Sequence, residues 1–377
     1  MPGFEIIDHQ EKEAVNQIFE DGGILFAHGF DAMRKNFHVR EFEDTTKQYL
    51  ECEHALAVTS GTAAIKVALK SIGVKKGDEV ITQAFNFIAT IEAILDVGAK
   101  PIIANVDNSL NMDPEDCESL ITDKTKAILP VHMLGVPVEM DQIMKIAQKH
   151  NLKVMEDNCE SVGARYKKRY LGTIGDVGAL SFDFGKVITT GEGGMVITNT
   201  LDIDRYSREY HDHGHENNPN FPRGRDTKTI FGFNYRITEM QAAVGKVQLS
   251  KLDYIINENK KRYQAFESNL PSNIISRIIP DGSDPIYDTY IFFIDSKEER
   301  ERIINILNSE GFGTKNLPDA IEWHCSAFWD HALDDASVKH SQKTKELLEK
   351  AIAVPMWLRK NKEDYSDLAI KIFGRDL

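Results

Sequence analysis

A lysine, an aspartate and two glycine-containing segments of this sequence have the residue types and spacing that catalysis requires. Lys186 lies in S-F-D-F-G-K-V-I-T-T-G-E-G-G, five residues after Ser181 and shortly before the glycines at 191–194. Asp157 ends the strand-like stretch L-K-V-M-E-D, and S-G-T at 60–62 precedes a helical pattern. A lysine amine can form an imine with an aldehyde and later move protons, and a carboxylate can hold a positive charge on a heterocycle.

These abilities match the needs of pyridoxal phosphate. That cofactor requires a lysine for a Schiff base, a carboxylate at the pyridine nitrogen, an anion site for the phosphate and a flat side chain against the ring. The lysine and the aspartate provide the first two. Gly61 and Thr62 open a helix whose backbone N–H groups are free to bind a phosphate, and Ser181 adds a hydroxyl. Phe87 is the candidate stacking ring. We therefore predict a cofactor-dependent enzyme.

The elements predicted around these residues alternate between strands and helices. Short apolar runs at G-D-E-V-I-T, P-I-I-A-N-V-D, T-K-A-I-L-P-V-H and L-K-V-M-E-D are separated by helical patterns. This alternation indicates parallel βαβ units with helices on both faces of one sheet. A-L-S-F-D-F and M-V-I-T-N predict two further strands on either side of the lysine segment. Asp157 would then stand at the carboxyl edge of the sheet, where ligands bind in such folds.

The pattern changes after T-E-M-Q at 238–241, which forms a capping box at the start of a long helix. The apolar face predicted for that helix consists of Met240, Ala243, Val244 and Val247. Farther on, I-Y-D-T-Y-I-F-F-I predicts a strand and E-E-R-E-R-I-I-N-I-L a helix. We predict a large domain at residues 1–252 and a small α+β domain at residues 253–377.

Composition excludes several classes of protein. The formal charge of −14 over 377 residues argues against nucleic acid and anionic membranes as partners. No run approaches the ~18 apolar residues of a membrane helix, and the first residues lack a secretory pattern, so we expect a cytoplasmic protein. The cysteines are scattered without a C-x-x-C pair, which predicts reduced thiols; they are Cys52, Cys117, Cys159 and Cys325.

Each of these features alone fits an ordinary structural role, but their order and spacing together resemble the DegT/DnrJ/EryC1/StrS family of sugar aminotransferases. The matching pieces lie within about residues 56 to 250 and are T-S-G-T-A-A-I, A-F-N-F-I-A-T, E-D-N-C-E-S-V-G-A-R-Y, G-T-I-G-D-V-G-A-L-S-F-D-F-G-K-V-I-T-T-G-E-G-G and G-F-N-Y-R-I-T-E-M-Q-A-A. The resemblance implies the fold type I architecture of aspartate aminotransferase. This is an α/β fold with a large, mainly parallel-sheet domain plus a small α+β C-terminal domain.

The resemblance also implies pyridoxal 5'-phosphate as cofactor, pyridoxamine 5'-phosphate as intermediate, and a role for each candidate residue. Lys186 would be the Schiff-base lysine and Asp157 the partner of the pyridinium nitrogen. Phe87 would stack on the ring, and the phosphate contacts would be Gly61, Thr62 and Ser181. Family members are homodimers with active sites at the interface, so Asn234 of F-N-Y-R would reach the partner's phosphate.

Two positions bear on the reaction. The family often has Gln or His three residues after the aspartate, on the ring face near the phenolic oxygen, where this chain has Glu160. A related dehydratase branch has histidine in place of the lysine, so Lys186 favours transamination. A sugar dehydratase that uses the pyridoxamine form is one alternative reading, and a non-enzymatic regulator or binding module is another.

Segments outside the shared core resemble the branch of 8-amino-3,8-dideoxy-manno-octulosonate transaminases, which aminate an eight-carbon keto sugar acid with L-glutamate as donor. These segments are M-P-G-F-E, F-D-A-M-R, R-E-F-E, D-H-G-H, R-G-R and W-H-C-S-A-F-W. A nucleotide-linked 4-keto-6-deoxy sugar is the alternative acceptor.

Candidate substrate contacts follow from this resemblance. Arginines bind carboxylates through a bidentate fork, and the candidates are Arg34, Arg223, Arg225 and Arg236. Histidines could bind sugar hydroxyls, and the candidates are His213, His215 and His324. The histidines of H-D-H-G-H at 211–215 also suggest a metal, but the prolines and asparagines that follow indicate a loop without further ligands, and we predict no metal site.

Overall fold

The computed structural model describes residues 3–374. Met1 and Pro2 of the M-P-G-F-E segment and residues 375–377 of the predicted small domain lie outside the described residues. The strands are β1 (His54–Val58), β2 (Glu79–Gln83), β3 (Lys100–Ala104), β4 (Thr125–Ile128), β5 (Lys153–Asp157), β6 (Arg165–Tyr166), β7 (Arg169–Tyr170), β8 (Val177–Ser181), β9 (Gly194–Thr198), β10 (Ile275–Ser276), β11 (Ser283–Asp284), β12 (Thr289–Phe293) and β13 (Ala351–Pro355).

The helices are α1 (His9–Glu20), α2 (His38–Leu50), α3 (Gly61–Ser71), α4 (Ile88–Asp96), α5 (Pro114–Ser119), α6 (Met140–His150), α7 (Leu201–His211), α8 (Glu239–Ser250), α9 (Leu252–Glu267), α10 (Lys297–Ser309), α11 (Ile321–His324), α12 (Asp335–His340), α13 (Gln342–Leu348) and α14 (Lys362–Phe373). No helix within residues 3–374 is long and apolar enough to cross a membrane.

The central sheet has seven strands in the order β1-β9-β8-β5-β4-β2-β3. Its pairs are parallel except for β9, which runs antiparallel to both of its neighbours. The predicted parallel α/β sheet is therefore confirmed. Every residue of β8 and β9 is buried, as expected for strands whose two faces are both covered by helices. The carboxyl ends of β1, β5 and β8 meet at one edge.

The capping box that begins α8 is confirmed, and the predicted apolar face of that helix is confirmed at Ala243 but wrong at Met240. Met240 is 36% exposed, whereas Ala242, Gly245 and Leu249 are buried. The reason is that α8 packs against both α1 and α2 and needs small residues there. A Cβ atom at Gly245 would lie 2.6 Å from the Phe42 ring. The helix ends at Ser250, and α9 follows from Leu252.

The C-terminal part of the chain contains a second sheet of three antiparallel strands, β10-β12-β13. Its apolar cluster, around Phe266, Phe292 and Tyr365, is separate from the clusters beside the central sheet. The junction between α8 and α9 coincides with the predicted boundary at residue 252, and the division into two domains stays a prediction. The four cysteines named above are free thiols.

Candidate active site

A cavity of about 350 Å³ opens at the carboxyl edge of the central sheet. It brings together eight of the residues singled out in the sequence, from five separate segments of the chain. They are Gly61, Thr62, Phe87, Asp157, Glu160, Ser181, Lys186 and His324.

The start of α3 forms one wall of the cavity. Ser60 caps this helix, and its side chain accepts a hydrogen bond from the backbone N–H of Ala63. The first N–H groups of a helix have no partner within the helix and carry partial positive charge, so this end suits an anion. A Cβ atom at Gly61 would lie 2.8 Å from Cβ of Ser181, so only glycine lets the helix start approach the end of β8 this closely.

Asp157 ends β5 and is held rigidly, with 3% of its surface exposed. One carboxylate oxygen accepts a hydrogen bond from the Thr90 hydroxyl at 2.7 Å, and the other accepts one from the backbone N–H of Cys159 at 3.1 Å. These two hydrogen bonds fix the orientation of the carboxylate in the cavity. A carboxylate that faces a cationic ring must be held in this way.

Lys186 lies in the loop between β8 and β9, with Nζ 3.4 Å from Oε1 of Glu160. Desolvation lowers the pKa of Lys186, but the negative charges of Glu160, Asp157 and Asp183 act together against it and the pKa is raised. Burial likewise opposes ionisation of Glu160, yet Lys186, Lys315 and the backbone N–H of Leu134 lower the pKa of Glu160 to about 2. The pair is thus ionised at neutral pH.

The loop that carries Lys186 is also held from the N-terminal side. The backbone N–H of Gly3 donates a hydrogen bond to the carbonyl of Lys186 at 2.8 Å. The rings of Phe4 and Phe184 stack 4.5 Å apart at an interplanar angle of 3°. The described part of the M-P-G-F-E segment therefore packs on the lysine loop, a contact that the sequence did not predict.

Phe87 and His324 lie side by side at the cavity, with ring centroids 5.4 Å apart. Phe87 is 43% exposed, although large apolar side chains are usually buried, so its ring is available to a flat ligand. Nδ1 of His324 lies 2.8 Å from the carbonyl of Ala320, and burial lowers the pKa of this histidine. It is therefore neutral at pH 7.

The structure adds cavity residues that the sequence analysis missed, among them Thr90, Asp288, Lys315 and Asn316. Lys315 forms an ion pair with Asp288, and both side chains are largely buried. Asp288 precedes β12, while Lys315 and Asn316 follow α10. No motif marks these segments, and they lie far in sequence from the lysine and aspartate.

Arg34 does not line this cavity. Its guanidinium is buried, donates hydrogen bonds to the carbonyls of Phe26, Ala27 and Gly29, and forms an ion pair with Glu239 at 3.2 Å. The substrate role predicted for Arg34 therefore has no support from its position, because its charge is already satisfied within the chain.

The segment from residue 212 to 236 holds the predicted substrate contacts other than Arg34 and His324, and none of those in this segment lines the cavity of the same chain. Arg223 and Arg236 both bind the buried carboxylate of Asp212. The pKa of Asp212 is well below its usual range, because its bonds to Arg223 outweigh the effect of burial. His215 pairs with Asp226 at 3.2 Å.

His213, Arg225 and Asn234 of the same segment are exposed. Within residues 3–374, no group of three or more His, Cys, Asp or Glu side chains is arranged to hold a metal ion.

The fold and the cavity define a fold type I pyridoxal-phosphate-dependent transferase. The profile of the DegT/DnrJ/EryC1/StrS aminotransferase family matches residues 7–372, and the chain belongs to this family. It is a sugar aminotransferase with pyridoxal phosphate as its cofactor. The anion-binding helix start, the fixed carboxylate and the exposed ring fit that cofactor.

Similar proteins agree with this assignment. The chain is 35% identical over 301 residues to the GDP-perosamine synthase of Escherichia coli O157:H7, covering 79% of each chain. It is 30% identical over 321 residues to a UDP-N-acetyl-3-dehydro-alpha-D-glucosamine 3-aminotransferase of Acidithiobacillus ferrooxidans, covering 85% of this chain and 83% of the relative. The crystal structure of an aminotransferase from Psychrobacter cryohalolentis superposes with a TM-score of 0.85 and 28% identity, covering 97% of this chain and 96% of that one.

Proposed function

We propose that this chain transfers the amino group of L-glutamate to a free keto sugar acid, forming 8-amino-3,8-dideoxy-manno-octulosonate. The observation that carries the reaction type is the cavity that unites Lys186, Asp157 and the start of α3. The choice of sugar is supported by the segments that resemble the octulosonate branch, such as R-G-R at 223–225 and W-H-C-S-A-F-W at 323–329.

The cofactor would be held by residues from three walls of the cavity. When bound, it supplies an aldehyde that takes up the amino group and a ring that stabilises negative charge beside it. The N–H groups of Gly61 and Thr62 and the Ser181 hydroxyl would bind its phosphate, and Phe87 would pack against its ring. Asp157 would keep a proton on the ring nitrogen.

Lys186 would move the proton in both half-reactions. Its amine, once neutral, would take a proton from the carbon that carries the donor's amino group. It would then deliver this proton to the carbon that was the cofactor's aldehyde, on the other side of the transferred nitrogen. Glu160, 3.4 Å away, stabilises the protonated form of the amine and so holds the proton between the two steps. The same pair works in the reverse direction on the sugar.

A homodimer would complete the site. The large apolar side chains exposed within the segment from residue 212 to 236 are Phe221, Phe231 and Phe233, and the ring centroids of the last two lie 6.2 Å apart. Exposed apolar groups of this size, close together, favour contact with another protein surface. In such a dimer Asn234 would reach the phosphate in the partner's cavity, and the neighbouring Arg225 and His213 would face the partner's substrate.

A nucleotide-linked keto sugar is the second candidate acceptor. It is favoured by the names of two relatives, which act on GDP-linked and UDP-linked sugars. Those relatives are 35% and 30% identical to this chain. Identity at this level shows the family but does not determine which sugar is the acceptor.

The test is transfer of ¹⁵N from labelled glutamate to a panel of keto sugars, free and nucleotide-linked, read by mass spectrometry. We expect label in the octulosonate and loss of transfer in Lys186→Ala, with transfer retained in Lys145→Ala, which alters an exposed lysine of α6. Label in nucleotide-linked sugars alone would overturn the choice of substrate. Transfer retained by Lys186→Ala would overturn the role of the lysine.

A further inference from the structure

One wall of the cavity comes from the C-terminal third of the chain and contains Asp288, Lys315, Asn316 and His324. The Lys315 segment is rigidly attached to the second sheet. The N–H of Lys315 donates to the carbonyl of Ala353 at 3.0 Å, and the N–H of Ala353 donates to the carbonyl of Leu317 at 3.1 Å. Lys315 and Asn316 are therefore held against β13 at the edge of the cavity.

The charge on this wall is distinctive. Among the described residues that line the cavity, Lys315 is the single lysine or arginine besides Lys186, and five carboxylates face the same space. The side chains of Lys315 and Asp288 are 15% and 4% exposed. Burial would raise the pKa of Asp288, but Lys315 outweighs it and the pKa is lowered, so this is a charged pair. Asp288 occupies one of the three N–H donors of Lys315.

Asn316 adds a second, independent observation. Its backbone adopts φ +65°, in the left-handed region that is unfavourable for most side chains. Its side-chain Nδ2 is buried and has no hydrogen-bond partner among the described residues. A buried amide without an acceptor destabilises the fold, so an unpaired donor beside a lysine in a cavity indicates an acceptor supplied by a ligand.

We propose that Lys315 and Asn316 form a carboxylate-binding subsite, which orients a substrate against Lys186. The assignment rests on the proposed function, because both L-glutamate and the keto sugar acid carry a carboxylate. A carboxylate there would accept one hydrogen bond from Nζ of Lys315 and one from Nδ2 of Asn316. Lys315 lies close enough to lower the pKa of Glu160, which itself contacts Lys186. The subsite is therefore near the reacting atoms.

The probe is glutarate, an inert dicarboxylate, titrated into the holoenzyme by calorimetry. The double variant Lys315→Gln/Asp288→Asn removes the cation without leaving an unpaired buried aspartate, and Asn316→Gly removes the amide while tolerating φ +65°. The matched control is Lys251→Gln/Glu11→Gln, an equally buried pair outside the cavity, with side chains 13% and 4% exposed.

We expect the Kd for glutarate to rise about tenfold or more in the double variant and several-fold in Asn316→Gly, because charge-assisted hydrogen bonds are lost. The control should stay within about twofold of the wild type, and Lys315→Arg should recover part of the affinity. Unchanged binding in both cavity variants, or no glutarate binding by the wild type, would overturn the subsite.

Two further arms identify which substrate carries the carboxylate. In single turnover, slowing of the glutamate half-reaction by the double variant assigns the subsite to the donor. Slowing of only the half-reaction with the sugar acid assigns it to the acceptor. The proposed function is tested separately: it fails if the wild type transfers no ¹⁵N from glutamate to the sugar. That result would not change the conclusion from the glutarate titration.

Discussion

At the scale of single residues, the contact between Lys186 and Glu160 determines when the lysine can accept a proton. Burial lowers the pKa of Lys186, but Glu160, with Asp157 and Asp183, holds it above its usual value. A proton-transferring amine works fastest when its pKa lies near the working pH. Glu160 therefore lowers the fraction of neutral amine. It also stabilises the protonated amine that carries the transferred proton.

This balance predicts the effect of Glu160→Gln. Without the negative charge, the pKa of Lys186 should fall, which raises the fraction of neutral amine at every pH below that pKa. The glutamine oxygen can still accept the hydrogen bond that Leu134 donates to Glu160 at 3.1 Å. The measurement is the pH dependence with which an amine-reactive reagent labels Lys186 in the apoprotein, quantified by mass spectrometry.

The control for this experiment is Glu192→Gln, which neutralises another carboxylate of the same cavity. Glu192 is not among the groups with the largest effects on the pKa of Lys186. The pH dependence of Lys186 labelling in Glu192→Gln should match that of the wild type. A Glu160→Gln profile that stays in place or moves to higher pH would show that the carboxylate does not set the proton affinity of the lysine.

At the scale of elements, the start of α3 depends on a close approach between two segments. The Cβ atom of an alanine at position 61 would lie 2.8 Å from Cβ of Ser181 and 3.2 Å from Sγ of Cys159. Gly61→Ala should therefore push the helix start away from β8 and turn its N–H groups from the phosphate site. We expect the cofactor to raise the Tm of this variant by much less than it raises that of the wild type.

Gly245→Ala is the matched control, since it also crowds a helix, here α8 against the ring of Phe42 at 2.6 Å. It should lower the Tm of the apoprotein and the holoprotein alike, and leave the rise caused by the cofactor unchanged. Equal cofactor-induced shifts in Gly61→Ala and the wild type would contradict the phosphate assignment.

These elements also show how far the sequence alone could go. Asp157, Lys186 and Gly61 could be placed because each is close to a strand end, and the ends of parallel strands gather at one edge. Lys315 and Asp288 could not be placed, because they reach the cavity through pairing with the second sheet, a contact between distant segments that no local pattern records.

The bonding partners of the candidate substrate arginines could not be predicted, for a different physical reason. A sequence shows that an arginine is present but not which carboxylate binds it. Arg223 and Arg236 are bound to Asp212, whose side chain is fully buried and needs cationic partners. The apolar face of α8 was mistaken at Met240 in a similar way, since close packing there selects small residues over large apolar ones.

At the scale of the whole molecule, the cluster around Asp212 makes stability depend on pH. Burial lowers the pKa of His28 to about 4, and that of the neighbouring His211 to about 3. An unfolded histidine has a pKa of about 6.5, so the unfolded chain binds these protons more tightly than the folded one. The contribution of both groups to the free energy of unfolding is complete above about pH 6.5 and falls as the pH drops toward 4.

Replacing His28 by Phe should flatten this acid dependence. Nε2 of His28 lies 3.6 Å from Oδ2 of Asp212 and has no hydrogen-bond partner among the described residues, so the change removes a titrating group without breaking a hydrogen bond. The measurement is urea unfolding at pH 7.5 and pH 5. We expect a smaller loss of stability at pH 5 in His28→Phe than in the wild type, and no such difference in His9→Gln, which alters an exposed histidine. Equal losses in His28→Phe and the wild type would refute the linkage.

The proposed dimer leads to a prediction about shared active sites. If Asn234 acts in the partner's cavity, a hybrid of a Lys186→Ala chain and an Asn234→Ala chain contains one site with both residues intact. Half of randomly formed dimers are hybrids with one working site of two, so co-expression should restore about a quarter of wild-type amino transfer. Each variant alone should be nearly inactive or strongly impaired.

The control pairs Lys186→Ala with Asp157→Asn, two changes in the cavity of the same chain. Every site of that hybrid lacks one of the two groups, so co-expression should restore nothing. If the Lys186→Ala and Asn234→Ala pair is equally unproductive while size-exclusion chromatography shows dimers, Asn234 acts within its own chain. Restoration in the first pair alone requires that each active site be built from two chains, because no rearrangement within one chain could produce it.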